Sequence, residues 1–459
     1  MKLRPPAAAR RHAFAPLACL ALLAPVLAIS AAAAPAGGAL QPFTVEDLVR
    51  LKLVSDPQAS PDGHYVAFTL RETDLEANRG RTDVWLVDLT ARSARARPLT
   101  RDAANDSSPR WAPDSRTLYF LSTRSGSSQV WRLSLDGGEA TRVTDYPLDV
   151  GTLLVSPTGD RIAVSMAVFA DCADLRCTKQ RLDERQKSPA SGRSFDRLFV
   201  RHWDEWSDGT RSHLFSAPLG PDGTAGTPVD LSRALDADVP SKPFGGSEEY
   251  AFSPDSRRIV LTARTAGRSE PWSTNFDLFE VPADGSAAPQ NLTADNPAWD
   301  TRPVFLKNGD LAYLATDRAG FESDRFHVVL RDARSGAKRA LTADWDRSVS
   351  QLAALPDGRR LLASADDLGQ HALFSIDLAS GKPTRLWNQG QITHFTVARD
   401  TVVIALASLG APADLQAIRF NGGALRRLTD VNGELLRTRA MSAYEQFSFR
   451  GANDETVYG

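Results

Sequence analysis

A four-residue turn signal recurs along nearly the whole of this chain, and that repetition limits its possible folds more than any other feature. The copies are Ser60-Pro61-Asp62-Gly63, Ala112-Pro113-Asp114-Ser115, Ser156-Pro157-Thr158-Gly159, Ser253-Pro254-Asp255-Ser256, Leu306-Lys307-Asn308-Gly309 and Leu355-Pro356-Asp357-Gly358, with a degenerate Ala398-Arg399-Asp400. Proline presets φ at the first central turn position, and Asp or Asn followed by Gly supports the reversal. A β-rich run follows each turn, as in Tyr65–Thr69, Thr117–Leu121, Arg161–Ser165, Arg258–Thr262 and Leu311–Leu314. A second run follows, as in Val84–Val87, Val130–Leu133, His213–Ser216, Asp277–Val281 and Ala372–Ile376. A third ends in Leu-Thr or a close equivalent: Leu99-Thr100, Val143-Thr144, Leu231-Ser232, Leu292-Thr293, Leu341-Thr342 and Leu428-Thr429.

The period is about 43 to 53 residues, the range of four-stranded propeller blades of the TolB or WD40-like kind. Short alternating strands set off by turns predict an all-β chain. Seven such units over residues 55–435 predict a seven-bladed β-propeller, with an insertion swelling the third blade at about 167–201. A β-sandwich also has many short strands, but it does not predict one turn-and-strand order repeated seven times. Before the first blade, residues 35–54 read as a linker and a short helix. Thr44 caps that helix, and Glu46 and Asp47 occupy the first turn, where negative charge is favourable.

Residues 1–34 stand apart from the repeat. Lys2, Arg4, Arg10 and Arg11 precede an apolar stretch, Phe14 to Ile29, and then small residues through Ala36. That order is expected of a secretory signal peptide, which places the mature chain in the periplasm or outside the cell, with no membrane attachment after cleavage. An uncleaved anchor is the alternative. Export brings an oxidising environment, in which Cys172 and Cys177 are expected to pair in a local disulfide. A metal site there would need two further soft ligands, and no His lies near the pair. The formal net charge of -2 gives no broad attraction to nucleic acid or anionic lipid. The seven His show no zinc-binding spacing, and the Gly-rich pieces lack a following Gly-Lys-Ser/Thr, so neither a metal nor another cofactor is expected.

Ser-Pro-Asp-Gly followed by a strand, then Asp83-Val84-Trp85-Leu86-Val87, then Leu-Thr, resembles the propeller of the prolyl oligopeptidase family of serine peptidases. It is also similar to the propeller of TolB-type periplasmic proteins. The segment Leu198 to Phe215, with its Arg-His-Trp-Asp run, resembles the dipeptidyl and acylaminoacyl peptidases of that family. Phe447 to Gly459 is similar to the first strands of the family's α/β-hydrolase domain, so residues 436–459 are expected to begin such a domain. The resemblance implies a propeller that caps a hydrolase and admits short or unfolded peptides. The family's nucleophile sits in Gly-x-Ser-x-Gly. No such string occurs in this sequence; Gly192-Arg193-Ser194-Phe195-Asp196 and Gly245-Gly246-Ser247-Glu248-Glu249 fail at the last position. No catalytic residue carries over, and the expected role is a non-catalytic, substrate-gating portion of a peptidase. The alternative is a free-standing TolB-like propeller that binds a protein partner on one face.

Two groups are candidate substrate contacts. Arg201, His202, Trp203 and Asp204, with Trp206 nearby, form a rim in the functional reading and a packing cluster anchoring the insertion in the plain one. Glu248 and Glu249 form a carboxylate pair suited to a peptide's free ammonium, or else a solvated turn.

Overall fold

The computed structural model describes residues 40–91 and 95–459. The expected signal peptide at 1–34 lies outside the described residues.

Each turn signal closes a hairpin with its own side chains. The Ser60 hydroxyl accepts the Tyr65 N–H at 3.0 Å and donates to Asp62 at 2.6 Å, while the Gly63 N–H returns to the Ser60 carbonyl. Ser253 repeats the pattern with Arg258 and Asp255. The fourth position requires left-handed backbone, and Gly63 supplies it at φ +69°. Ser115 and Ser256 adopt the same conformation at +58° and +61°. Their hydroxyls accept the Asp62 and Thr158 N–H groups in the neighbouring unit's turn, at 2.9 and 3.0 Å. A bond between adjacent turns thus offsets the steric cost of a side chain there.

The Leu-Thr signal has an equally local cause. Its hydroxyl accepts the N–H that opens the core of the preceding strand: Val84 to Thr100, Val130 to Thr144, Leu214 to Ser232, Leu278 to Thr293, Val328 to Thr342 and Leu415 to Thr429, all at 2.8–3.0 Å. Thr100, Thr293 and Thr429 also donate to Asp83, Asp277 and Asp414. The side chain takes over from the strand ladder, so the outer strand stops after two or three residues and the backbone leaves for the next unit.

These devices build four-stranded antiparallel meanders. The first comprises Leu53–Ala59, Tyr65–Asp74, Arg79–Asp88 and Arg97–Pro98. Five separate four-stranded sheets and one eight-stranded sheet follow this plan, the last dividing at a single parallel pairing of His371 with Gln391. Apolar clusters fill the gaps between neighbouring meanders all the way round. Ala67, Leu86, Leu118 and Phe120 join the first meander to the second; Val66, Phe68, Val403 and Leu415 join the last back to the first. The chain is an all-β propeller. Among the described residues, the first and last meanders each use only their own strands, and packing between them closes the ring.

A separate clasp spans the two ends of the ring. Gln41–Pro42 pairs in parallel with Arg439–Ala440. The helix Val45–Arg50 is capped by Thr44, and its Asp47 receives Arg439 through two bonds of 2.6 and 2.7 Å. Asn432 bonds both the N–H and the carbonyl of Lys52 at 2.8 Å. The Arg439 guanidinium holds the Asp47 carboxyl well below the usual carboxylate range.

The insertion leaves the third meander after Arg161–Val168 and returns at Arg211–Pro218, further along than residue 201. It contains a helix, Leu175–Lys187, that the sequence reading left out; Asp174 caps it by accepting the Cys177 N–H at 2.8 Å. A disulfide joins Cys172 to Cys177 at its first turn. Beyond the ring, Ser448–Arg450 and Thr456–Tyr458 form an exposed two-stranded hairpin. Among the described residues, no helix is long and apolar enough to cross a membrane.

Thr293→Val leaves the Leu278 N–H and the Asp277 carboxylate short of a partner inside the protein. It is expected to lower stability by about 1–3 kcal/mol in urea unfolding, with Thr293→Ser losing much less. Arg439→Met should lower the melting temperature and speed hydrogen exchange at Gln41–Lys52 before the rest of the ring. Asp47's folded pKa is depressed, so its contribution is present above the ordinary carboxylate pKa and is lost as pH falls. The wild-type advantage over Arg439→Met should therefore shrink in acid.

Candidate functional site

The first strands of most successive meanders touch one another around the axis, which makes them the channel wall. Five of them are bulged against their second strands: at Ser55/Gln58, Ser107/Arg110, Thr301/Val304, Val349/Gln351 and Ile392/His394. A bulge inserts a residue and re-aims the side chains around it. Asp56, Ser108 and Arg302 sit at positive φ (+48°, +54° and +54°) as part of this device.

The re-aimed side chains meet as charges of alternating sign. Arg110 bonds Asp56 at 2.7 Å and reaches past the third meander to the Ser247 hydroxyl at 2.8 Å. Beside Ser247, Glu248 lies 4.0 Å from Arg302. His394 is exposed on this wall, yet the walls crowding it strip its solvation and push its imidazole down, against the pull of Asp56 and Glu248. Such a mouth offers an anion to an ammonium and cations to a carbonyl or carboxylate. Among the described residues, no group of three or more His, Cys, Asp or Glu side chains is placed to hold a metal ion.

Beside the mouth stands an aromatic hairpin, in which Arg201–His202 pairs with Glu205–Trp206. His202 stacks on Phe199 with ring centroids 4.6 Å apart, and Arg264 lies over Phe199 and Phe276. Arg201 lies over Trp206, which stacks on Phe195 at 6.3 Å. Trp203 takes the turn at φ +49° and meets Phe244 at 6.1 Å. The packing interpretation therefore fits His202 and fails for the tryptophans: Trp203 is 70%, Trp206 57% and Phe244 76% exposed. Asp204 is exposed beside them. A nearly buried network steadies the base. Arg211, where the insertion returns, bonds Asp238 at 2.8 Å and Glu270 at 2.7 and 2.9 Å.

Glu248 and Glu249 are not displayed as a pair, which corrects the expectation of two adjacent anions. Glu249 is buried, and its two oxygens accept the Ser241 N–H and hydroxyl, each at 2.7 Å. Burial pushes its carboxyl up. Its work is to pin the segment 241–249, which presents Phe244 beside the hairpin and Glu248 at the channel. Arg201 to Asp204 and Glu248 are thereby gathered in one region. Sequence reasoning missed Asp56, Arg110, Phe244, Arg302 and His394. Four of these lie on first strands, whose bulges break the alternation that marks a strand.

A family model described as the TolB β-propeller domain matches residues 50–191. The chain is 26% identical over 413 residues to dipeptidyl-peptidase 5 of Porphyromonas gingivalis, covering 89% of this chain and 59% of that protein. Dipeptidyl-peptidase 5 of Aspergillus fumigatus is 26% identical over 455 residues, covering 93% and 61%. The chain thus spans about three-fifths of the length of the curated relatives it matches. Among solved structures, an acylaminoacyl peptidase in complex with Z-Gly-Gly-Phe-chloromethyl ketone superposes with a TM-score of 0.67 at 14% identity, over 91% of this chain and 58% of that one. The propeller domain of the Trilobed protease from Pyrococcus furiosus, described as having an open velcro topology, gives 0.56 at 14% identity, over 83% and 97%. The structural likenesses show the propeller fold, and the sequence relatives are dipeptidyl peptidases, as the repeat and the Arg-His-Trp-Asp segment suggested.

Asp300 opens the strand that carries Arg302. It is buried, accepts Asn296 at 3.1 Å, and its second oxygen has no partner among the described residues. Burial pushes its pKa up to about 7. A folded pKa above the unfolded one means the protonated acid is favoured in the folded state, so this stability is present in acid and is lost as pH rises through 7. Asp300→Asn is expected to raise the melting temperature at pH 8 relative to wild type and to leave little difference at pH 4, measured by thermal melts across that range.

Proposed function

We propose that these 459 residues are the non-catalytic, substrate-gating propeller portion of an exported serine peptidase of dipeptidyl or acylaminoacyl type. One observation carries the reading. Dipeptidyl-peptidase 5 sequences match about nine-tenths of this chain with only three-fifths of their own length, and this part contains no Gly-x-Ser-x-Gly. The chemistry of the channel mouth supports it. In this reading Glu248 receives the ammonium of a short peptide, while Arg110 and Arg302 orient its carbonyls. Arg201, His202, Trp203 and Asp204 form the rim over which the peptide enters, and the ring excludes folded chains. Export follows from the expected signal peptide at 1–34.

A second reading is a free-standing propeller that binds a protein partner. The exposed aromatic hairpin beside the mouth favours it, since contiguous exposed rings are typical of contact surfaces.

The test is to incubate the purified chain with dipeptidyl and acyl-aminoacyl chromogenic substrates and a serine-directed fluorophosphonate. No turnover and no labelling are expected, and covalent labelling would sink the non-catalytic assignment. Reading the gene past the codon for Gly459 separates the alternatives. A frame encoding Gly-x-Ser-x-Gly within about 150–200 residues, the length of an ordinary domain, supports the peptidase. A stop codon with no such frame supports the free-standing module.

A further inference from the structure

We infer that Trp203 and Phe244 form an aromatic clamp that selects peptides carrying an apolar ring within four residues of a free ammonium. The inference rests on the peptide-gating reading above and adds the class of peptide.

Single exposed apolar residues are ordinary on a protein surface. Here two large rings from separate segments meet each other while about three-quarters of each residue stays open to water. Their planes are tilted by 56° with centroids 6.1 Å apart, so the rings diverge and leave a wedge open on one side. A third ring fits such a wedge in an edge-to-face or offset arrangement.

Both walls are held in place before any ligand arrives. Trp203 occupies left-handed backbone at φ +49°, a strained position for a bulky side chain, and such strain gathers at functional sites. Below it, His202 stacks on Phe199, which lies against Arg264. Phe244 is fixed through its own segment, where Ser241 is bonded to the buried Glu249 and the Gly245 N–H returns to the Ser241 carbonyl at 2.8 Å. Ordering these walls in advance lowers the entropy lost on binding.

Charge complementarity commits the wedge to a peptide. Glu248 is exposed, and its ion pair to Arg302 is long at 4.0 Å. It lies four residues from Phe244 on the same pinned segment. Four residues span at most about 14 Å even when fully extended. A peptide with its ammonium on Glu248 therefore meets the wedge with one of its first four side chains.

The test uses the full chain and four fluorescein-labelled probes, Ala-Phe-Ala-Ala and Ala-Gly-Ala-Ala, each with a free or an acetylated amino terminus, read by fluorescence polarisation. The free-amine Phe probe is expected to bind at least tenfold more tightly than the Gly probe. Trp203→Ala and Phe244→Ala should each erase that preference, while Trp203→Phe, which keeps a ring, retains most of it. Glu248→Gln should weaken both free-amine probes alike and leave the acetylated ones unchanged. Phe447→Ala, which removes an exposed ring on the terminal hairpin, should change nothing. Equal binding of Phe and Gly probes that still responds to Glu248→Gln would overturn the clamp and leave peptide gating standing. No binding of any probe would remove both. Concentration-dependent dimerisation abolished by Trp203→Ala would assign the wedge to a second copy of the chain and overturn the proposal.

Discussion

Among the described residues, each four-stranded meander is apolar on both faces, and the rest of the structure answers to that. Along Tyr65–Asp74, Val66, Phe68 and Leu70 enter the cluster shared with the last meander, while Ala67 between them enters the cluster shared with the second. Along Arg360–Asp367, Leu361 and Ala363 face the fifth meander and Leu362 faces the seventh. The two-residue period of a strand places alternate side chains on opposite faces, so a meander cannot satisfy itself and needs a neighbour on each side. A linear stack would leave two greasy ends, and a closed ring leaves none. The turn and Leu-Thr devices make this possible, because the Ser or Thr hydroxyl takes the amide that the ladder gives up as the chain passes sideways.

The same closure decides where function sits. Residues between sheets are committed to packing, so the channel wall, the connectors and the insertion remain for recognition. The bulged first strands place Asp56, Arg110, Arg302 and His394 at the axis. Bulges sacrifice regular pairing, and a ring held together by apolar clusters between neighbouring meanders tolerates that loss. The insertion is built the opposite way. It has few buried apolar residues, and it is ordered by the Cys172–Cys177 bond, a capped helix and the Arg211 network, which leaves its tryptophans unspent on a core.

What could be read from the sequence follows from these physical differences. The turns, the second to fourth strands and the helix at Thr44 were legible because each rests on local chemistry: a proline, a hydroxyl, a capping residue. The first strands were illegible as strands, since Asp-Ser-Ser-Pro-Arg-Trp at 106–111 and Asp-Thr-Arg-Pro-Val-Phe at 300–305 have neither period two nor β-rich composition. The candidate site was half legible. The Arg201 to Asp204 run stood out by composition, but Phe244 reaches it through folding alone. The opposite fates of Glu248 and Glu249 depend on Ser241, eight residues before Glu249, and nothing in the pair itself shows which one turns inward.

The way the circle is shut has an evolutionary consequence. Since each meander among the described residues is built from strands consecutive in sequence, every sector is encoded by one continuous stretch of sequence. Duplicating or losing such a stretch adds or removes a whole sector without orphaning half a ladder elsewhere. The tether between Asp47 and Arg439 sits outside the sectors and need only stretch or slacken to match. Architectures of this kind can change their circumference, and with it the bore, by gaining or losing any sector, the terminal ones included.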